Sequence, residues 1–108
     1  MITYFVRPKA RQDLDDQALY IARNSSLEVA HRFLDSAYET FSLLASRPEI
    51  GWQPRLKHTK LAGLRIFRAT GFKRILIFYR PAPDRVEILR VVHASKDLRR
   101  LIGREGLE

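Results

Sequence analysis

The sequence predicts a small α+β protein in which a helix hairpin packs on one face of an antiparallel sheet. Three observations carry that expectation. The stretch from Gly63 to Leu98, GLRIFRATGFKRILIFYRPAPDRVEILRVVHASKDL, alternates with period two and is cut by two turn signals. The connections between its strands are too short for anything but antiparallel neighbours. Ahead of it, Ala30, Phe33, Leu34, Ala37, Phe41 and Leu44 recur at helical spacing. At 108 residues, the chain is expected to form one domain over 1–108, with a single core.

Ile2 to Val6 alternates weakly and reads as an edge strand of the same sheet. Arg7-Pro8 ends it, and Pro8 suits the first turn of a helix from about Lys9 to Arg23. Ala10, Leu14, Ala18, Ile21 and Ala22 form the apolar stripe of that helix, with Asp13, Asp15, Asp16 and Gln17 facing outward. Asn24-Ser25 breaks it. The next helix has two candidate N-terminal caps, Ser25 with Glu28 as a capping box, or Ser26 alone. Arg47 is expected in its last turn, where the macrodipole favours a cation, and Pro48 ends it. So short a link makes the two helices an antiparallel hairpin.

Ile50 to Ala62 reads as a loop, broken by Gly51 and Pro54, that carries Arg55, Lys57, His58 and Lys60. Three strands follow, Leu64 to Ala69, Arg74 to Arg80 and Arg85 to His93. Thr70-Gly71 reverses the chain between the first two, because glycine supplies a positive φ. Pro81 and Pro83 remove ladder donors before the third. Ser95 to Ile102 is expected to form a short terminal helix.

Alternation counted along these strands puts Leu64, Ile66, Ile75, Ile77, Tyr79, Val86, Ile88 and Val92 on one face. Phe67, Leu76, Phe78, Leu89 and Val91 fall on the other, interleaved with Arg65, Arg74, Arg80, Arg85 and His93. An antiparallel sheet with one free face usually keeps it polar. The second face is apolar and cationic together, so it is expected to be covered by the chain's own C-terminus or by another molecule.

The formal charge of +8 is uneven. Residues 1–54 hold six Lys/Arg against seven Asp/Glu, whereas residues 55–100 hold thirteen against three. That asymmetry points to an anionic partner, with a solvated basic surface as the alternative. With no cysteine, disulfides and thiolate metal sites are excluded. Three scattered histidines offer no metal site, and no Gly-rich phosphate loop is present, so no cofactor is expected. No apolar run is long enough to span a bilayer and no targeting segment is evident, so the expected location is the cytoplasm.

The order of elements, together with Arg47-Pro48 followed by Gly51, Leu61-Ala62-Gly63-Leu64-Arg65, Gly71-Phe72, Ile77-Phe78-Tyr79-Arg80 and Ile88-Leu89-Arg90-Val91-Val92-His93, resembles the RelE/ParE superfamily of type II toxin–antitoxin (plasmid stabilisation) toxins. Lys96-Asp97-Leu98 resembles the close of the last strand in the ParE branch. The resemblance covers nearly the whole chain. It implies a cognate, ParD-like antitoxin, often acidic, whose C-terminal segment wraps the toxin in a hetero-oligomeric complex. For the ParE branch it implies inhibition of DNA gyrase by contact. For the RelE branch it implies cutting of mRNA in the ribosomal A site.

Cleavage of RNA by its own 2′-OH needs a base, an acid and cations around the phosphate. RelE-like nucleases typically add a Tyr or His near the C-terminus, but Tyr4, Tyr20, Tyr38 and Tyr79 all precede the end of the last strand. His93 is the acid–base candidate that remains, with Arg65 and Arg80 as its cations. The alternative for His93 is a ring bonded to backbone at a strand end, and for His31 and His58 a solvated place without function. The expected surface for antitoxin or target comprises Trp52, Arg65, Phe67, Arg74, Leu76, Phe78, Arg80, Leu89, Val91 and His93. Trp52 reads equally as an interface anchor or a lid on the core edge. Arg68 and Arg90 are expected towards the helices, where Asp13 or Asp35 offers a partner.

Overall fold

A computed structural model describes residues 3–54 and 62–95. Its elements are β1 (Thr3–Val6), α1 (Pro8–Asn24), α2 (Leu27–Ser46), β2 (Arg65–Ala69), β3 (Phe72–Pro81) and β4 (Arg85–His93). The expected C-terminal helix and His58 lie outside the described residues. The sheet order is β1-β4-β3-β2. β2, β3 and β4 form an antiparallel meander, and β1 runs parallel to β4 at the edge, with Tyr4 opposite Val86 and Val6 opposite Ile88.

Each helix begins where its local chemistry dictates. Pro8 occupies the first turn of α1. Ser26 alone caps α2, its hydroxyl accepting from the Val29 amide at 3.0 Å. Arg47 lies one residue beyond α2 as its C-cap, so the last turn carries no cation. Asp13 does not face outward. The register of α1 turns it towards β4, where it meets Arg90.

The helices bury their stripes against one sheet face. Ala10 and Leu14 from α1 and Phe33, Ala37, Phe41 and Leu44 from α2 pack on Ile75, Ile77, Tyr79, Val86, Ile88 and Val91. The Phe41 ring sits between Tyr4 and Tyr38, with centroids 5.5 and 5.4 Å away. Thr40, buried within α2, accepts from the Thr70 amide at 3.1 Å. The Ser36 hydroxyl donates to the Thr70 carbonyl. Together they hold the β2–β3 turn against the helix. Gly71 in that turn has φ +79°, the left-handed conformation that favours glycine.

The second face carries Leu64, Ile66, Leu76, Phe78, Leu89 and Val92, all buried. Five side chains therefore lie on the face opposite to the one strict alternation assigns. Leu64, Ile66 and Val92 belong to the second face, and Phe67 and Val91 to the helix side. Two register shifts are the cause. In the first, Ala69 pairs with Phe72 but Arg68 pairs with Leu76, so β3 bulges just after the tight turn. In the second, Phe78 pairs with Arg90 while Tyr79 pairs with Ile88, which leaves Leu89 as an extra residue in β4. An odd number of inserted residues, three in the first shift and one in the second, reverses the alternation of everything beyond it.

Candidate functional site: the second sheet face and its arginine end

The second bulge has a chemical support. Arg90 donates through Nε and Nη2 to the Asp13 carboxylate at 2.8 and 3.1 Å. The same carboxylate accepts from the Val91 amide at 2.9 Å. Both side chains are largely buried, so the fork of bonds satisfies charge and displaced backbone at once. This is the Asp13 partnership anticipated for Arg90. Arg68 instead lies exposed over the Trp52 ring, 5.2 Å from its centroid.

Where α2 ends, the chain is pinned from β3. The buried Tyr79 hydroxyl donates to the Pro48 carbonyl at 2.7 Å and accepts from the Gly51 amide at 2.9 Å. Burial raises the Tyr79 pKa above its ordinary value, partly offset by the Gly51 bond and the nearby Arg65 charge. Arg65 donates to the carbonyls of Glu49 and Gly51, at 3.2 and 2.7 Å. Trp52 then pairs with Ile66 through two backbone bonds of 2.9 Å. Arg65 is thus a clamp on this loop, on the Tyr79 side of the sheet.

Of the residues expected at the surface, Leu76, Phe78, Leu89 and Val91 are buried. Phe67 and Arg65 are half-buried, while Trp52 and Arg74 are exposed. His93 sits opposite Ile75. Its Nδ1 accepts from the Ser95 amide at 3.2 Å, the backbone-bonded alternative. His93 and Arg74 border a cleft of about 330 Å³ on the helix side, where Tyr20, Ile21 and Phe72 also line it.

Arg80 lies at the other end of β3, opposite Glu87. Ile75 and Arg80 are five residues apart on one strand, which separates the His93 and Arg80 positions by roughly 17 Å. The three groups of the proposed nuclease site are therefore spread over separate places: a clamp at the loop, a strand-end turn, and the far end of the hairpin.

That far end gathers a cluster which sequence reading did not assemble. Glu87, with 12% of its side chain exposed, receives Arg80 at 2.9 Å and Arg85 at 3.1 Å on different oxygens, and Arg7 at 3.4 Å. The Arg80 bond leads the causes that lower the Glu87 pKa, partly opposed by burial and reinforced by Arg85 and Arg7. Phe5, opposite Glu87 across the parallel pair, is 42% exposed and carries the Arg85 guanidinium 4.7 Å from its ring centroid. Part of this was available in the sequence. Arg85 and Glu87, two apart on a strand, share a face, and the Pro81 to Asp84 turn folds Arg80 back towards them. Phe5 and Arg7 join only through the parallel pairing of β1, which no local pattern announces.

Among the described residues, no three His, Cys, Asp or Glu side chains converge as a metal site. No helix there is long and apolar enough to cross a membrane.

The model of the family described as "ParE toxin of type II toxin-antitoxin system, parDE" matches residues 4–98. No curated protein sequence gives a match. Among solved structures, a chain of the "Chromosomal ParDE TA system from P. aeruginosa" superposes with a TM-score of 0.68 at 18% identity. The superposition covers 86% of this chain and 96% of that one, and at this identity it speaks for the fold. The family match spans β1 to β4 and beyond, and on that extent the chain belongs to the ParE toxin family of type II toxin–antitoxin systems.

Proposed function

We propose that this toxin arrests growth by binding DNA gyrase rather than by a reaction of its own, and that a cognate antitoxin neutralises it in a hetero-oligomeric complex. The observation that carries the contact mechanism is the dispersal of Arg65, Arg80 and His93. General acid–base cleavage needs its groups within hydrogen-bond reach of one phosphate. Here Arg65 holds loop carbonyls, and His93 and Arg80 stand at opposite ends of the sheet. Gyrase as the target follows from the ParE branch, whose motifs this chain carries. The antitoxin reading is supported by the exposed Arg74 and Trp52 and by the half-exposed Arg80 and Arg85. Their basic surplus suits an acidic tail.

The test is a supercoiling and DNA-cleavage assay with purified gyrase and antitoxin-free toxin. Loss of supercoiling with trapped cleaved DNA is expected. A folded, toxic preparation that leaves gyrase untouched but cuts mRNA on ribosomes overturns the proposal in favour of the RelE-type reaction. In that case His93→Ala separates a catalytic His93 from a structural one.

A further inference from the structure

We infer that Arg7, Arg80 and Arg85, organised by Glu87 and flanked by Phe5, form a docking site for paired carboxylates on an acidic, apolar-spaced segment of a protein partner. The inference rests on the contact mechanism proposed above and names the chemistry of one contact.

Three guanidiniums around a single carboxylate leave positive charge in excess at one end of the sheet. Glu87 uses only part of what they offer. Each guanidinium carries several N–H donors, and the Glu87 bonds engage one terminal nitrogen of each. All three side chains remain accessible, from 31% for Arg80 to 46% for Arg7. Glu87 holds them in place and shows that the cluster accepts a carboxylate, with Arg80 and Arg85 on separate oxygens. An incoming carboxylate meets donors already ordered, so little side-chain entropy remains to be lost.

One feature favours a protein segment over a nucleic acid. Phe5 presents an exposed aromatic surface beside the guanidiniums, and aromatic and arginine side chains together are what protein interfaces concentrate. A segment with two carboxylates on either side of an apolar residue matches the patch in charge, and its apolar residue has the exposed Phe5 ring to meet.

The experiment is fluorescence anisotropy of the full chain with a labelled peptide of repeated Glu-Glu-Leu, alongside an oligodeoxythymidine of similar length. The peptide is expected to bind, Arg85→Ala to weaken it about tenfold, and Arg85→Lys to weaken it less, since the charge survives but the planar fork does not. Glu87→Gln is the discriminating variant. The amide oxygen still accepts from the arginines and holds them in place while the competing charge is gone, so the peptide is expected to tighten several-fold, an effect opposite in sign to that of a purely structural glutamate. Arg68→Ala, at the far edge over Trp52, is expected to change nothing. Circular dichroism on every variant separates lost binding from lost fold, and Arg85→Lys serves if the alanine variant does not fold. The inference is overturned if Arg68→Ala and Arg85→Ala weaken the peptide equally, if Glu87→Gln weakens it, or if the oligonucleotide binds more tightly through the same arginines. The gyrase assay is read separately. Failure to inhibit gyrase with the peptide still bound overturns the proposed target and supports the arginine site.

Discussion

The Tyr79 hydroxyl satisfies two backbone groups where the chain leaves α2, and Gly51 is the residue that lets it approach. A Cβ at Gly51 would stand 2.5 Å from the Tyr79 oxygen and 2.8 Å from the Ile66 carbonyl oxygen, closer than such contacts allow. Tyr79→Phe leaves a buried amide and carbonyl without their partner and is expected to lower stability by about 2 kcal/mol, measured by urea unfolding. Gly51→Ala, which forces the same site apart, is expected to cost at least as much. Asp13 is the other residue on which much converges. Asp13→Ala removes two Arg90 bonds and the acceptor of the Val91 amide, an expected loss of about 3 kcal/mol in the same measurement.

At the scale of the elements, α2 organises the molecule. Its start depends on one side chain, and Ser26→Ala is expected to cost about 1 kcal/mol, seen as a lowered thermal midpoint without change in the native circular dichroism. Its apolar stripe was readable from spacing alone, because a helical period needs only the chain's own sequence. The strands were readable as strands but not as faces. Thr70-Gly71 correctly marks a tight reversal, and a two-residue turn sets Ala69 against Phe72. The bulge beyond that turn changes the register, and the Leu89 bulge does so again. An unpaired residue looks like any other in an apolar run, so period-two counting carried Leu64, Ile66, Phe67, Val91 and Val92 to the wrong side.

Across the whole molecule, charge is concentrated where the sheet ends. Glu87 is the buried counter-charge of that end, and its lowered pKa couples the fold to acid. A carboxylate whose folded pKa lies below its unfolded one stabilises the fold above the ordinary value near 4.5. That contribution is lost as pH falls through the folded value. Thermal midpoints are therefore expected to hold level above pH of about 4.5 and to decline as pH falls below it, with a shallower decline in Glu87→Gln. At the alkaline end the sign reverses for Tyr79, whose raised pKa stabilises the fold below about 10 and ceases to do so as pH climbs towards the folded value. A flat acid limb shared by wild type and Glu87→Gln would remove Glu87 as the coupled group.

The amino-acid sequence by itself determined the α+β class, the helix hairpin, the meander, the helical core stripe and the basic sheet half. Each is written in local periodicity, turn chemistry or charge counting. The tertiary structure alone decided which side chains share a face, because bulges alter register without altering composition. It also decided which arginines are available. Arg65 and Arg90 are drawn into loop and bulge, whereas Arg7, Arg80 and Arg85 meet on Glu87 across three strands. Residues 7 and 87 lie far apart along the chain, and only the parallel seating of β1 on β4 makes them neighbours.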